Sequence, residues 1–127
     1  MVCALIVAAV GAPSAGAAPK RLYKGKTTQK RPVRITMRGN TLKLRHFTAQ
    51  LKCKGGARLI VDESGFQRTR LHGAHFNDVQ VGNTDEVFFR GAVQRKVVSG
   101  RIRVKDRLHK RGPRCASRWL KFHARLR

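Results

Sequence analysis

Acidic residues are scarce in this sequence: 6 Asp and Glu stand against 29 Lys and Arg, a formal net charge of +23. So few carboxylates leave little for acid–base or metal chemistry and exclude an acidic Ca²⁺-binding module. Aromatic residues make up only 6%, whereas single-strand nucleic-acid binders interleave aromatics with cations so that bases can stack. No stretch reaches the roughly 18 apolar residues that a membrane-spanning helix needs. Neither G-x-G-x-x-G nor G-x-x-x-x-G-K-[ST] occurs, so no glycine-rich phosphate loop is expected. With 127 residues, the chain has room for one domain. Hydrophobic residues are plentiful at 41%, too many for a disordered basic tail.

The first segment reads as an address. Val2 to Val10 is a short apolar stretch, and Gly11 to Ala18 comes next with small residues and one proline. That order matches the apolar and cleavage regions of a secretory signal peptide. Ala15-Gly16-Ala17 supplies the small-x-small pattern that a signal peptidase accepts, and Gly16-Ala17-Ala18 is an equal alternative. No Lys or Arg precedes the apolar stretch. The expected organisation is a signal peptide over 1–17 and a secreted domain over 18–127, extracellular or resting on the cell envelope. No transmembrane segment is expected after cleavage. Cys3 precedes most of the apolar stretch, the wrong place for a lipid-modified cysteine.

Cleavage leaves Cys53 and Cys115. Two cysteines in a small exported domain predict one disulfide. The alternatives are a metal pair or a reactive thiol, but neither cysteine sits in a C-x-x-C and no His lies within four residues of either. A bond between them closes more than half of the secreted domain into one loop, worth about 4 kcal/mol in the chain-entropy model.

Alternation of apolar and polar residues dominates the chain from residue 32 onward. In Pro32 to Arg38, Val33, Ile35 and Met37 face one way and Arg34, Thr36 and Arg38 the other. Gly39-Asn40 then turns the chain. In Thr41 to Lys54, Leu42 and Leu44 share one phase, and Phe47, Ala49, Leu51 and Cys53 share the other. A bulge near Arg45-His46 lets both sets reach one core. Further strands are expected from Arg58, over Glu86 to Val93, over Val97 to Lys105 and over Arg118 to Arg125, with Gln94-Arg95-Lys96 as a hairpin loop and Arg111-Gly112-Pro113 as a break. Residues 62–85 are the least regular and read either as one short strand around Phe76–Val81 or as a long functional loop. No window shows a convincing helical period. The expected fold is all-β: an antiparallel β-sandwich or flattened barrel of roughly six to eight strands.

Several short motifs carry a resemblance. Tyr23-Lys24-Gly25-Lys26-Thr27-Thr28-Gln29 opens the domain; a Cys ends the second long strand; Phe89-Arg90-Gly91 and Ser99 to Arg103 come later; a second Cys precedes a closing Trp/Phe strand. This pattern resembles a family of small secreted β-sandwich proteins of high-GC Gram-positive bacteria, usually opening Y-x-G-x-T-S-Q, with Thr28 here in place of the Ser. The resemblance implies the fold, the disulfide and export. It implies no activity and no site.

Basic strand faces are the main functional candidate. Arg34 and Arg38 share one face; Arg101, Arg103 and Lys105 share another, extended by Arg107. Alternate strand residues lie about 6.5–7 Å apart on one side. Guanidinium forks at that pitch suit successive phosphates, sulfates or carboxylates of a linear polyanion. A merely solvated, solubilising face is the plain alternative. Trp119 is out of phase with Leu120 and Phe122, so it either caps the core edge or faces outward. His72-Gly73-Ala74-His75 is an H-x-x-H that would need further metal ligands from Asp62, Glu63 or Asp78. Glu63, His72 and His75 beside Arg68 and Arg70 could be cast as a nuclease. Asp62-Glu63 and Asp85-Glu86 are the only acidic pairs.

The expected function is non-catalytic: a monomeric, exported basic domain that holds anionic cell-wall or extracellular polymers by charge, without cofactor or metal, and nucleic acid only non-specifically. A small secreted nuclease and a structural or partner-binding module, docking through residues 62–85, are the alternatives.

Overall fold

The computed structural model describes residues 18–82, 85–106 and 114–127. The leader, Arg107 and the Arg111-Gly112-Pro113 break lie outside the described residues. The chain runs β1 (Arg21–Thr27), β2 (Pro32–Arg38), β3 (Thr41–Cys53), β4 (Arg58–Ser64), β5 (Thr69–Arg70), β6 (His75–Val81), β7 (Asp85–Gln94), β8 (Val97–Asp106), β9 (Cys115–Ala116) and β10 (Leu120–Leu126), with no helix among the described residues. The protein is all-β, and every pairing is antiparallel.

Local patterning explains the strands. Val33, Ile35 and Met37 are buried, as alternation requires, whereas Arg34 and Arg38 are exposed. The bulge in β3 is where the phase change demands it. Val33 pairs with Phe47 and Arg34 with His46, but Ile35 pairs with Leu44. Arg45 is the extra residue, and Leu42, Leu44, Phe47, Ala49 and Leu51 are all buried in one core.

Six strands close a barrel in the order β10-β1-β2-β3-β9-β8, with β8 returning to β10. Of the two shapes the alternation allowed, the closed barrel is the one formed. The remaining four strands flank it: β4 and β5 on β3, β7 on β8, and β6 on β7. Closure needs close strand approach, which glycine permits: a Cβ on Gly25 of β1 would sit 1.7 Å from the His123 carbonyl oxygen of β10. The flanking β7 approaches β8 as closely, a Cβ on Gly91 falling 2.1 Å from the Ser99 oxygen. The seam between β3 and β8 is the two-residue β9. Its Cys115 lies opposite Cys53 and is bonded to it, so the predicted disulfide forms and staples the seam.

The core contains a run of rings. Phe76 packs on Phe89 at 4.6 Å and Phe89 on Phe122 at 5.6 Å, while Phe47 stacks on Phe66 at 5.7 Å. Residues 62–85 are more regular than expected. They hold the end of β4, β5 and β6, because Gln80 clamps the intervening loop: Gln67 N–H donates to its Oε1 at 2.7 Å, and its Nε2 donates to the Gln67 carbonyl at 2.9 Å.

The opening motif is structural. Fully buried Tyr23 donates its hydroxyl to the Arg95 carbonyl at 3.3 Å. Gly25 allows the approach of β10. Thr27 Oγ1 accepts the Gln29 N–H at 3.2 Å. Gln29 then pairs with the Gln50 backbone, accepting its N–H at 2.8 Å and donating to its carbonyl at 3.0 Å. Gln50 lies on β3 between the stretch paired with β2 and the stretch paired with β9. The Gln29 amide therefore replaces a missing strand at that gap.

Candidate anion-binding face

The β7–β8 hairpin builds the main basic surface. Gln94 pairs with Val97 across a two-residue loop, which fixes the register: Arg90 opposite Arg101, Phe88 opposite Arg103, Glu86 opposite Lys105. Val87, Phe89, Ile102 and Val104 point into the core, so these partners face out. On the far edge of β8, Lys121 of β10 pairs with Arg101. Arg90, Arg101 and Lys121 thus form one row across three strands, continued by Asn77 of β6. Directly opposed like charges destabilise a sheet, so the row carries a standing electrostatic cost.

Two rings support the cations. The Arg90 guanidinium lies over Trp119, 4.2 Å from the ring centroid, and the Lys105 ammonium lies 5.4 Å from the Phe88 centroid. Trp119 meets Phe88 edge-on at 6.2 Å. Trp119 is half-buried, on the outward side of the sheet with Phe88 and Arg90 rather than over the core edge. Such contacts are worth about 0.5–1 kcal/mol each at exposed sites. A shallow depression of about 500 Å³ opens over the Gly91–Gly100 pair, rimmed by His75, Asn77, Arg90, Ser99 and Arg101.

The structure brings Arg101, Arg103 and Lys105 together on one side of β8, with Arg101 and Lys105 exposed and Arg103 half-buried. Arg34 is part of a second row: it pairs with Lys24 of β1 and His46 of β3, and Lys24 pairs with Arg125 of β10. Arg38 is on the same outward side of β2 as Arg34, one end of the strand away from that row, and lines a cavity near the β2–β3 turn. Arg107 lies outside the described residues. Sequence reading missed Arg90, Lys121, Lys24 and Arg125. The expected loop Gln94-Arg95-Lys96 is one residue too long: Gln94 pairs with Val97, and that shift of register is what sets Arg90 opposite Arg101 rather than Gly100; the others depend on barrel closure.

The candidate nuclease trio does not assemble. His72 and His75 are exposed and bridge each other through backbone hydrogen bonds of 2.8 and 3.1 Å. His75 pairs with Ala92 near one end of β7, whereas Glu63 bonds to Asp85 at the other, about 20 Å away along the strand. Among the described residues, no three His, Cys, Asp or Glu side chains are placed to hold a metal ion.

The acids serve other ends. His46 Nε2 and Asp62 Oδ1 are hydrogen-bond partners. Asp78 accepts the Thr69 hydroxyl at 2.8 Å and the Gln80 amide at 3.2 Å. Glu63 is pushed up to about 8, mainly by burial, then by its hydrogen bond to Asp85 and the charges of Asp85 and Asp62. It therefore keeps its proton at neutral pH. Glycoside cleavage needs carboxyls about 5 Å or more apart with the sugar between them; Glu63 and Asp85 touch instead.

No family model, no curated protein and no solved structure matches this chain.

Proposed function

We propose that this protein is an exported, non-catalytic domain that binds anionic polymers of the cell envelope or extracellular space through the outer face of β7, β8 and β10. The observation that carries the reading is the row Arg90–Arg101–Lys121, three cations in adjacent register positions. A polymer bearing phosphates, sulfates or carboxylates relieves their mutual repulsion. Arg103 and Lys105 extend the face along β8. Arg90 is already ordered on Trp119, so binding costs less of the roughly 2 kcal/mol of rotamer entropy an arginine carries. The leader pattern and the disulfide support export.

The chain contains one tryptophan, and it lies in this face, so its emission reports binding directly. Titration with teichoic acid, heparin or DNA at low salt is expected to change Trp119 fluorescence saturably. Neutralising Arg101, Arg103 and Lys105 together to Gln is expected to weaken binding about 100-fold, at about 1 kcal/mol per cation near an anionic surface. Unchanged affinity would mean diffuse charge and would refute the localised face.

A further inference from the structure

A second basic feature lies apart from this face and does not rest on the polymer-binding reading. Near the β2–β3 turn, a cavity of about 150 Å³ is lined by Lys20, Arg38, Lys43, Arg45 and Arg68, with no Asp or Glu in its wall. The five cations come from four pieces of chain: the segment before β1, the end of β2, the bulged part of β3, and the loop between β4 and β5. Each is there for a local reason. Thr36 pairs with Lys43 and Arg38 with Thr41, so the β2–β3 ladder places Lys43 beside the cavity. Arg45, the unpaired residue of the bulge, is exposed on the same outward side as Lys43. β5 pairs Thr69 with Leu42, which sets Arg68 next to Lys43.

Thr36 lines the same cavity. It alternates with buried Ile35 and Met37, so it faces outward, yet it is only 8% exposed. A small, half-open pocket with many donors and no carboxylate in its wall suits a compact, multiply charged anion. Its volume of about 150 Å³ is of the size of a single tetrahedral group with its first waters.

We propose that this cavity binds one doubly charged tetrahedral oxyanion, inorganic phosphate or a phosphomonoester group, with Lys20, Arg38, Lys43, Arg45 and Arg68 as its ligands and Thr36 as a hydroxyl donor. The preference is for a dianion over a phosphodiester, because five converging cations reward the second charge and a diester offers only two free oxygens.

Calorimetry and thermal melting of the purified protein test this with inorganic phosphate, glycerol 3-phosphate, dimethyl phosphate and chloride at matched ionic strength. Inorganic phosphate is expected to bind saturably at low-millimolar concentration or below and to raise Tm, with dimethyl phosphate and chloride at least about tenfold weaker. Binding of glycerol 3-phosphate as well assigns the site to a phosphate carried on a larger molecule; binding of inorganic phosphate alone assigns it to the free ion. Arg45→Gln with Arg68→Gln is expected to weaken phosphate binding at least about tenfold. Lys20→Gln with Arg68→Gln repeats the test with residues outside every strand. The Arg101, Arg103 and Lys105 variant is expected to bind phosphate as the wild type does, which separates this site from the polymer face. Equal responses to phosphate and chloride, or unchanged phosphate binding in both cavity variants, would overturn the proposal.

Discussion

Glu63 is the residue whose environment most changes its chemistry. Its pKa of about 8, against an ordinary 4.5, means that the folded protein holds this proton more tightly than the unfolded chain does. The stability contributed by the protonated group is therefore fully present below about pH 4.5, declines as pH rises, and is lost above about pH 8. Glu63→Gln removes that dependence. In urea unfolding between about pH 5 and 9, the variant is expected to gain on the wild type as pH rises to about 8 and to hold that gain above it; a constant difference would contradict the raised pKa of Glu63. Gly25 is the opposite kind of residue, essential for what it omits. A methyl group there would lie 1.7 Å from a backbone oxygen. Gly25→Ala is expected to destabilise by about 3 kcal/mol or more, measured in the same assay.

At the scale of the element, the strands come from local pattern and their partners largely do not. Alternation marked β2, and the phase change inside β3 demanded the bulge that expels Arg45. The β7–β8 hairpin was legible as a hairpin, but a loop read as Gln94-Arg95-Lys96 gives a register one residue off; the loop is Arg95-Lys96, and the shared inward phase of Phe89 and Ile102 is what fixes the pairing. By contrast, nothing local says that Lys121 will lie beside Arg101 or Lys24 beside Arg125, since both pairings exist only once the barrel closes. For the same reason the row across three strands was invisible as a row, and the cavity that Arg38 lines at its end of the Arg34 face was invisible as well. Residues 62–85 looked irregular because their order comes from side-chain clamps such as Gln80 on Gln67 rather than from alternation. Gln29 is the other clamp, standing in for a strand beside Gln50. Gln29→Ala leaves two backbone groups of β3 without partners and is expected to cost about 1–3 kcal/mol, visible as a lower urea midpoint.

At the scale of the whole molecule, a charge of +23 opposes compaction, and the barrel resists it with a buried core and one covalent staple across its shortest seam. Reducing the Cys53–Cys115 bond is expected to lower stability by about 4 kcal/mol, with the loss read by urea unfolding with and without reductant. The same charge attracts any polyanion at long range, so the proposed binding is tested by whether it is spread over the surface or gathered on β7, β8 and β10. The salt dependence of binding to duplex DNA, followed through Trp119, answers it. Changing Arg90, Arg101, Arg103, Lys105 and Lys121 to Gln is expected to flatten the slope of log affinity against log salt by about four to five, one released counterion per lost contact. Removing equal charge at Lys30, Lys52, Lys54, Arg58 and Lys96 is expected to leave the slope nearly unchanged. Equal flattening by both variants would contradict a localised binding face.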